Sequence, residues 1–161
     1  MKSVIITGAN RGIGFDAAIA FANAGYKVFA TMRNPENAEA LKKKVRDESL
    51  PIFLSAMDVN SDESVQKAMA SIQKENGPVD VLVNNAGVER HGSIEELSIS
   101  DFKSVMETNY FGVLRCIQAV LPLMRREKKG CIINITSVSG RIATSPLGAY
   151  CLLYTSDAAD E

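Results

Sequence analysis

The chain has 161 residues, 46% of them hydrophobic and 23% charged, and its 18 Lys and Arg residues nearly balance 19 Asp and Glu residues. This composition excludes a low-complexity disordered chain and a disulfide scaffold. With three Cys, one His and scattered basic residues, we expect reduced thiols, no metal site and no nucleic-acid partner. No apolar run approaches the roughly 20 residues of a membrane helix, and no signal peptide is expected, so the sequence predicts a cytoplasmic protein without a membrane partner.

Short β-branched runs alternate along the chain with stretches of helical pattern. In chain order the predicted elements are strand Ser3–Thr7, helix Gly12–Ala24, strand Lys27–Met32, helix Pro35–Glu48, strand Ile52–Ala56, helix Asp62–Asn76, strand Val79–Val83, helix Ser100–Glu127 and strand Cys131–Thr136. Asn34 and Ser61 are the predicted N-caps of the second and third helices. The alternation predicts an α/β fold with a doubly wound parallel sheet, covered by helices on both faces.

A glycine-rich segment joins the first strand to the first helix, and it reads Thr7-Gly8-Ala9-Asn10-Arg11-Gly12-Ile13-Gly14. Glycines allow a tight turn and a close backbone approach to a pyrophosphate, and the helix N-terminus offers N–H donors to it. Three glycines would also suit a purely structural turn. The strand before them and the helix after them favour a dinucleotide-binding loop.

The charge around this loop favours one dinucleotide over the other. An acidic residue at the end of the second strand would bind a ribose 2′-OH and repel a 2′-phosphate. That strand instead ends in Thr31-Met32-Arg33, and Arg11 lies within the glycine loop. Two guanidinium groups suit a phosphate, so we expect NADP(H) in preference to NAD(H). The alternative is that both arginines are simply solvated.

Further motifs follow the glycine loop, whose spacing is T-G-x-x-x-G-x-G. They are Asp58-Val59 after the third strand, Asn84-Asn85-Ala86-Gly87 at the end of the fourth, Asn109 in the long helix, Ser137 and Tyr150. In this order and combination the sequence resembles the short-chain dehydrogenase/reductase family. The resemblance implies a Rossmann-type NAD(P)-binding fold. It also implies cofactor contacts from Gly8, Asn10, Arg11, Gly12, Ile13, Gly14, Arg33, Asp58, Val59, Asn85, Ala86 and Gly87.

The same resemblance implies a catalytic set. Tyr150 would be the acid/base, Ser137 would hydrogen-bond the substrate oxygen, and Asn109 would hold a water in a proton relay. The family pattern continues as Y-x-x-x-K, but Tyr154 stands at the lysine position. This departure matters because the family's lysine binds the nicotinamide ribose and lowers the pKa of the phenol, which is ordinarily about 10.

The last residues, 151–161, show no helical apolar period and resemble the translation of a sequencing adapter. We therefore expect residues 1–150 to be the N-terminal part of a single domain whose C-terminal strands and helices are missing, and residues 151–161 to be a non-native tail. The alternative is a diverged family member without the lysine. The chain as written is expected to be inactive, with its fifth strand left as an unpaired, aggregation-prone edge.

The sequence therefore predicts that the intact parent is an NADP(H)-dependent oxidoreductase acting on a small carbonyl or alcohol substrate. A weak similarity favours the hydroxysteroid and retinol dehydrogenase branch, and a homo-oligomer formed through Ser100–Glu127 is expected from the resemblance. A non-catalytic dinucleotide-binding regulatory protein is the main alternative. An epimerase or dehydratase on a related fold fits the glycine spacing less well.

Overall fold

A computed structural model describes residues 1–142 and 146–157. One parallel sheet is formed by five strands: β1 Ser3–Thr7, β2 Lys27–Met32, β3 Ile52–Ala56, β4 Val81–Asn84 and β5 Cys131–Asn134. Their order across the sheet is β3-β2-β1-β4-β5, which confirms the doubly wound prediction. The fourth strand begins at Val81 rather than Val79, because pairing with β1 starts at Val4 opposite Val81.

Within the described residues six α-helices accompany the sheet: α1 Gly12–Asn23, α2 Glu39–Glu48, α3 Asp62–Asn76, α4 Ile99–Met106, α5 Gly112–Arg126 and α6 Gly148–Asp157. Ser61 caps α3 as predicted, with its hydroxyl accepting from the N–H of Ser64. Asn34 caps a separate 3-10 turn, Pro35–Asn37, so α2 begins only at Glu39.

The long helix predicted over 100–127 is interrupted. A π-helical segment, Glu107–Phe111, lies between α4 and α5, and the N–H of Gly112 donates to the carbonyl of Glu107. Such wider turns are frequent at functional sites. A hydrophobic pattern does not distinguish a π turn from an α turn, which is why the sequence predicted one continuous helix.

The prediction that the chain after Tyr150 lacks helical pattern is wrong for its first part, since α6 runs from Gly148 to Asp157. Ala149 and Leu153, one turn apart, are buried in a cluster with Val105, and this spacing is a short apolar period. The side chain of Tyr154 and residues 158–161 of the predicted tail lie outside the described part.

Two hydrophobic clusters cover the two faces of the sheet. Successive residues of β1 point to opposite faces, so Val4 and Ile6 join one cluster with Leu41, while Ile5 joins the other with Leu82 and Val120. Helices therefore cover both faces, as predicted. In the described part of the chain β5 is an outer strand, and Ile133 retains 37% of its exposure, so its apolar run is not covered on both faces.

The three cysteines are free thiols, with Cys116 and Cys151 buried and Cys131 exposed. Across residues 1–142 and 146–157, no helix combines the length and the apolar character needed to cross a membrane. The same ranges hold no cluster of three His, Cys, Asp or Glu side chains that could bind a metal ion.

Candidate functional site

A cleft of about 400 Å³ opens where β1, β2 and β4 end. This is the edge of an open α/β sheet at which ligands generally bind. The structure places most of the predicted cofactor residues around it: Gly8, Asn10, Arg11, Gly12, Ile13, Arg33, Asp58, Val59, Asn85, Ala86 and Gly87.

The cleft is also lined by five residues that were not among the predicted cofactor contacts: Met32, Met57, Asn60, Val88 and Thr108. Met32 and Met57 lie at or just beyond the ends of β2 and β3, so their position after a strand was a usable signal. Thr108 enters the cleft from the π-helical segment, and no motif marked it.

The glycine loop is packed tightly against the end of β4. Gly8 has a φ of +65°, and a Cβ there would lie 2.8 Å from the Cα of Ala86. Gly14 does not line the cleft. A Cβ on Gly14 would lie 2.6 Å from the carbonyl oxygen of Gly8 and would collide with the side-chain nitrogen of Asn85. Gly14 therefore acts by close packing behind the loop.

Hydrogen bonds fix the loop in the same place. The hydroxyl of Thr7 accepts from the backbone N–H groups of Asn85 and Ala86, at 2.9 Å each. The side-chain nitrogen of Asn85 donates in return to the carbonyls of Thr7 and Gly8, at 2.9 and 3.2 Å. Thr7 begins the T-G-x-x-x-G-x-G motif, but the sequence did not predict this role for its hydroxyl.

The N-terminus of α1 faces the cleft and is suited to an anion. Arg11, at the N-cap position, is extended and makes no side-chain capping bond, and the first turn contains no acidic residue. The partial positive charge of the helix end is thus left without a carboxylate of its own. The residues present therefore fit a dinucleotide, whose pyrophosphate would accept from these N–H groups.

Two arginines, Arg11 and Arg33, and one carboxylate, Asp58, also line this cleft. Arg11 and Arg33 are exposed, and among the described residues neither forms an ion pair with a carboxylate. Asp58 accepts from the backbone N–H of Asn60 at 3.0 Å through Oδ1, which leaves Oδ2 available to a ligand.

A second cleft, of about 460 Å³, shares Arg11, Ile13 and Asn85 with the first, so the two adjoin. Asn109 and Tyr150 both line it. Both groups of the Asn109 amide bind the backbone of Val88, its oxygen accepting from the N–H and its nitrogen donating to the carbonyl, at 2.9 Å each. One lone pair and one N–H of the amide remain for a water.

Ser137 is not brought into the wall of this second cleft, although its neighbour Thr136 is. It caps the 3-10 turn Val138–Gly140, and its hydroxyl accepts from the N–H of Ser139 at 3.2 Å. A serine hydroxyl in this position keeps its own O–H as a donor. The structure thus joins two members of the predicted catalytic set and leaves the third beside them.

Comparison with known proteins agrees with this geometry. Residues 2–152 match the family model described as short chain dehydrogenase. The chain belongs to the short-chain dehydrogenase family. It is 41% identical over 145 residues to human retinol dehydrogenase 8, an alignment that covers 86% of the chain and 45% of that enzyme.

Other proteins match over a similar share of the chain at lower identity. The chain is 35% identical over 140 residues to a 3-oxoacyl-(acyl-carrier-protein) reductase of Staphylococcus epidermidis, with 86% of the chain and 57% of that enzyme covered. Among solved structures, a gluconate 5-dehydrogenase of Burkholderia cenocepacia in complex with NADP and tartrate matches with a TM-score of 0.89 and 32% identity, covering 98% of the chain and 62% of that protein. The chain spans about half the length of the curated relatives it matches.

Proposed function

We propose that the whole protein is an oxidoreductase that transfers a hydride between NADP(H) and a small carbonyl or alcohol substrate. The observation that carries this proposal is that the two clefts adjoin and share lining residues. One end offers the uncapped N-terminus of α1 to a pyrophosphate, and the other end holds Tyr150 beside Asn109. A dinucleotide spanning both would bring its nicotinamide towards the phenol.

The bound cofactor and the residues around Tyr150 would have different roles in the reaction. The bound nicotinamide supplies or accepts the hydride at the substrate carbon. Tyr150 donates a proton to the substrate oxygen during reduction and takes it back during oxidation. Ser137 donates a hydrogen bond to the same oxygen, and Asn109 fixes Val88 in the wall of the site.

The preference for NADP(H) rests on charge. Arg33 follows β2 directly, and it lies with Arg11 around the first cleft. Guanidinium groups bind phosphate oxygens in pairs. The same cleft contains no carboxylate at the end of β2 that would repel a 2′-phosphate, which supports NADP(H) over NAD(H).

The lysine position supports a second proposal. Tyr154 stands where the family has lysine, and a neutral phenol cannot supply the field of an ammonium group. We propose that residues 151–161 are a non-native tail joined to residues 1–150, rather than the mark of a non-catalytic regulatory protein. Sequencing the source locus past the codon for Tyr150 tests this, because native DNA encoding Leu152, Leu153 and Tyr154 there would refute it.

An oligomer is proposed on the exposed apolar residues of the π-helical segment and α5, which include Tyr110, Phe111, Leu114 and Leu121. Exposed apolar surface of this kind favours association. Light scattering of the purified whole protein gives its mass directly, and a monomer would refute the proposal.

Cofactor binding by the chain itself tests the main proposal. Titration with NADPH, followed by its fluorescence, should show saturable binding that 2′-phospho-AMP displaces. NADH should bind more weakly. An absence of NADPH binding by a folded chain, as judged by circular dichroism, would overturn the proposal.

A further inference from the structure

Arg115 on α5 joins three segments of the chain. Its guanidinium donates to the carboxylate of Asp62 in the first turn of α3, to the carboxylate of Glu107 in the π-helical segment, and to the carbonyl of Val59 at 3.2 Å. The Arg115 side chain is only 22% exposed, whereas those of Asp62 and Glu107 are 75% and 40% exposed.

The contact with Val59 is the one that reaches the cofactor cleft. Val59 is buried and lines the first cleft beside Asp58. Gly112, one turn before Arg115 on α5, also contacts Val59, and a Cβ on Gly112 would lie 2.9 Å from the Val59 Cγ2 atom. The side chain of Val59 therefore packs against Gly112, and its carbonyl accepts a hydrogen bond from the guanidinium of Arg115.

The geometry suits arginine and no other side chain. Nε, Nη1 and Nη2 each bind a different partner, which requires the planar fork of a guanidinium; the single ammonium of lysine cannot reach all three. Partly exposed ion pairs contribute little to stability. We therefore expect the loss of this network to change the position of Val59 more than it changes the free energy of unfolding.

We propose that Arg115 is a positioning residue that holds the Asp58–Val59 wall against the adenine half of the cofactor. This inference rests on the proposed binding of NADP(H). Because Arg115 also binds Glu107, it ties this wall to the π-helical segment, whose Thr108 lines the first cleft and whose Asn109 lines the second.

The test measures the binding of each half of the cofactor separately. Arg115→Met keeps the aliphatic stem and removes all three hydrogen bonds. It should raise the dissociation constants of NADPH and of 2′-phospho-AMP about tenfold. The loss of a hydrogen bond to a charged group has an effect of this size. The affinity for reduced nicotinamide mononucleotide, measured by NMR titration, should stay unchanged. Arg115→Lys should restore less than half of the loss, because lysine lacks the fork.

Arg126→Met is the matched control, since Arg126 lies on the same helix, is exposed and pairs only with its neighbour Glu127 among the described residues. If Arg115→Met binds 2′-phospho-AMP as the control does, or weakens both halves equally, the inference is wrong. If the unchanged chain binds neither NADPH nor 2′-phospho-AMP, the proposed function itself fails.

A second pair of variants covers the case in which Arg115→Met does not fold. Glu107→Gln removes a carboxylate that holds Arg115, and Glu95→Gln, an exposed residue outside the network, is its control. A selective loss of 2′-phospho-AMP affinity in Glu107→Gln supports the inference, and equal affinity in the two variants overturns it.

Discussion

The side-chain amide of Asn109 binds both the N–H and the carbonyl of Val88. Two hydrogen bonds thus join the π-helical segment to the loop that follows β4. Both residues line the second cleft, so this part of its wall is held by a side chain as well as by the sheet.

Asn109→Ala tests this pair. It leaves the N–H and the carbonyl of Val88 without their partner, which should lower the free energy of unfolding by about 2 kcal/mol in a urea titration. Asn23→Ala, at the exposed end of α1, is the control and should change little. Equal stability of the two variants would show that the pair does not hold the loop.

Gly14→Ala tests the packing behind the glycine loop. Alanine is the better helix former, so propensity alone predicts a gain. The Cβ would instead press on the carbonyl of Gly8, and we expect a loss of about 2 kcal/mol together with weaker NADPH binding. Asp16→Ala, on the exposed face of the same helix, should be neutral or stabilising. A Gly14→Ala chain as stable as this control would contradict the structure.

Arg33→Ala tests cofactor preference. Removing a guanidinium beside the proposed 2′-phosphate should weaken NADPH about tenfold and leave NADH unchanged, because only NADPH carries that phosphate. Arg46→Ala on α2, away from the cleft, is the control. A parallel loss for both dinucleotides would point to a structural role for Arg33 instead.

Asp80 predicts an acid-dependent loss of stability. Partial burial acts to raise the pKa of Asp80, but the ammonium of Lys129 and the N–H of Ser3 hold it below its usual range. A lowered pKa in the folded state stabilises at neutral pH and is lost as the pH falls through the folded value. Asp80→Asn should therefore cost about 1 kcal/mol at pH 7, with the difference disappearing below about pH 4. A difference that persists in acid would exclude this carboxylate as its source.

The cysteines predict selective alkylation. Burial raises the pKa of the Cys116 thiol to about 12, whereas Cys131 is exposed on β5. Since the thiolate is the reactive form, iodoacetamide at pH 8 should modify Cys131 and spare Cys116 until urea unfolds the chain. Mass spectrometry of the modified peptides identifies which cysteines have reacted. Modification of Cys116 before urea is added would show that the hydrophobic cluster around Cys116 opens in the folded chain.

Much of the fold was predictable because strand and helix signals were local. The bounds of β1, β2 and β3 are the runs of β-branched and apolar residues themselves, and α3 begins at the cap that Ser61 supplies. The sequence did not indicate the π-helical segment, because a hydrophobic pattern does not distinguish a π turn from an α turn. Helix α6, which begins at Gly148, was missed because the described residues that it adds to this cluster, Ala149 and Leu153, give an apolar pattern of a single turn.

The candidate site also has residues that the sequence could predict and residues that it could not. Gly8, Asp58 and Asn85 were visible because each follows a predicted strand. Asn109, Ser137 and Tyr150 were visible only from their order in the family pattern. Thr108 and Arg115 carry no motif; Thr108 lines the cleft from the π-helical segment, and Arg115 reaches the cleft wall from α5. Ser137 shows the opposite case, a motif residue whose hydroxyl serves a local turn in this structure.

The bonds between Thr7 and Asn85 join residues 78 positions apart in the chain. Contacts of such long sequence separation form slowly, since the intervening loop must close first. The glycine loop therefore cannot take its final shape while the ribosome is still synthesising β4. In a stopped-flow refolding experiment, recovery of nucleotide binding should coincide with docking of β4 onto β1 and should lag behind the formation of α1.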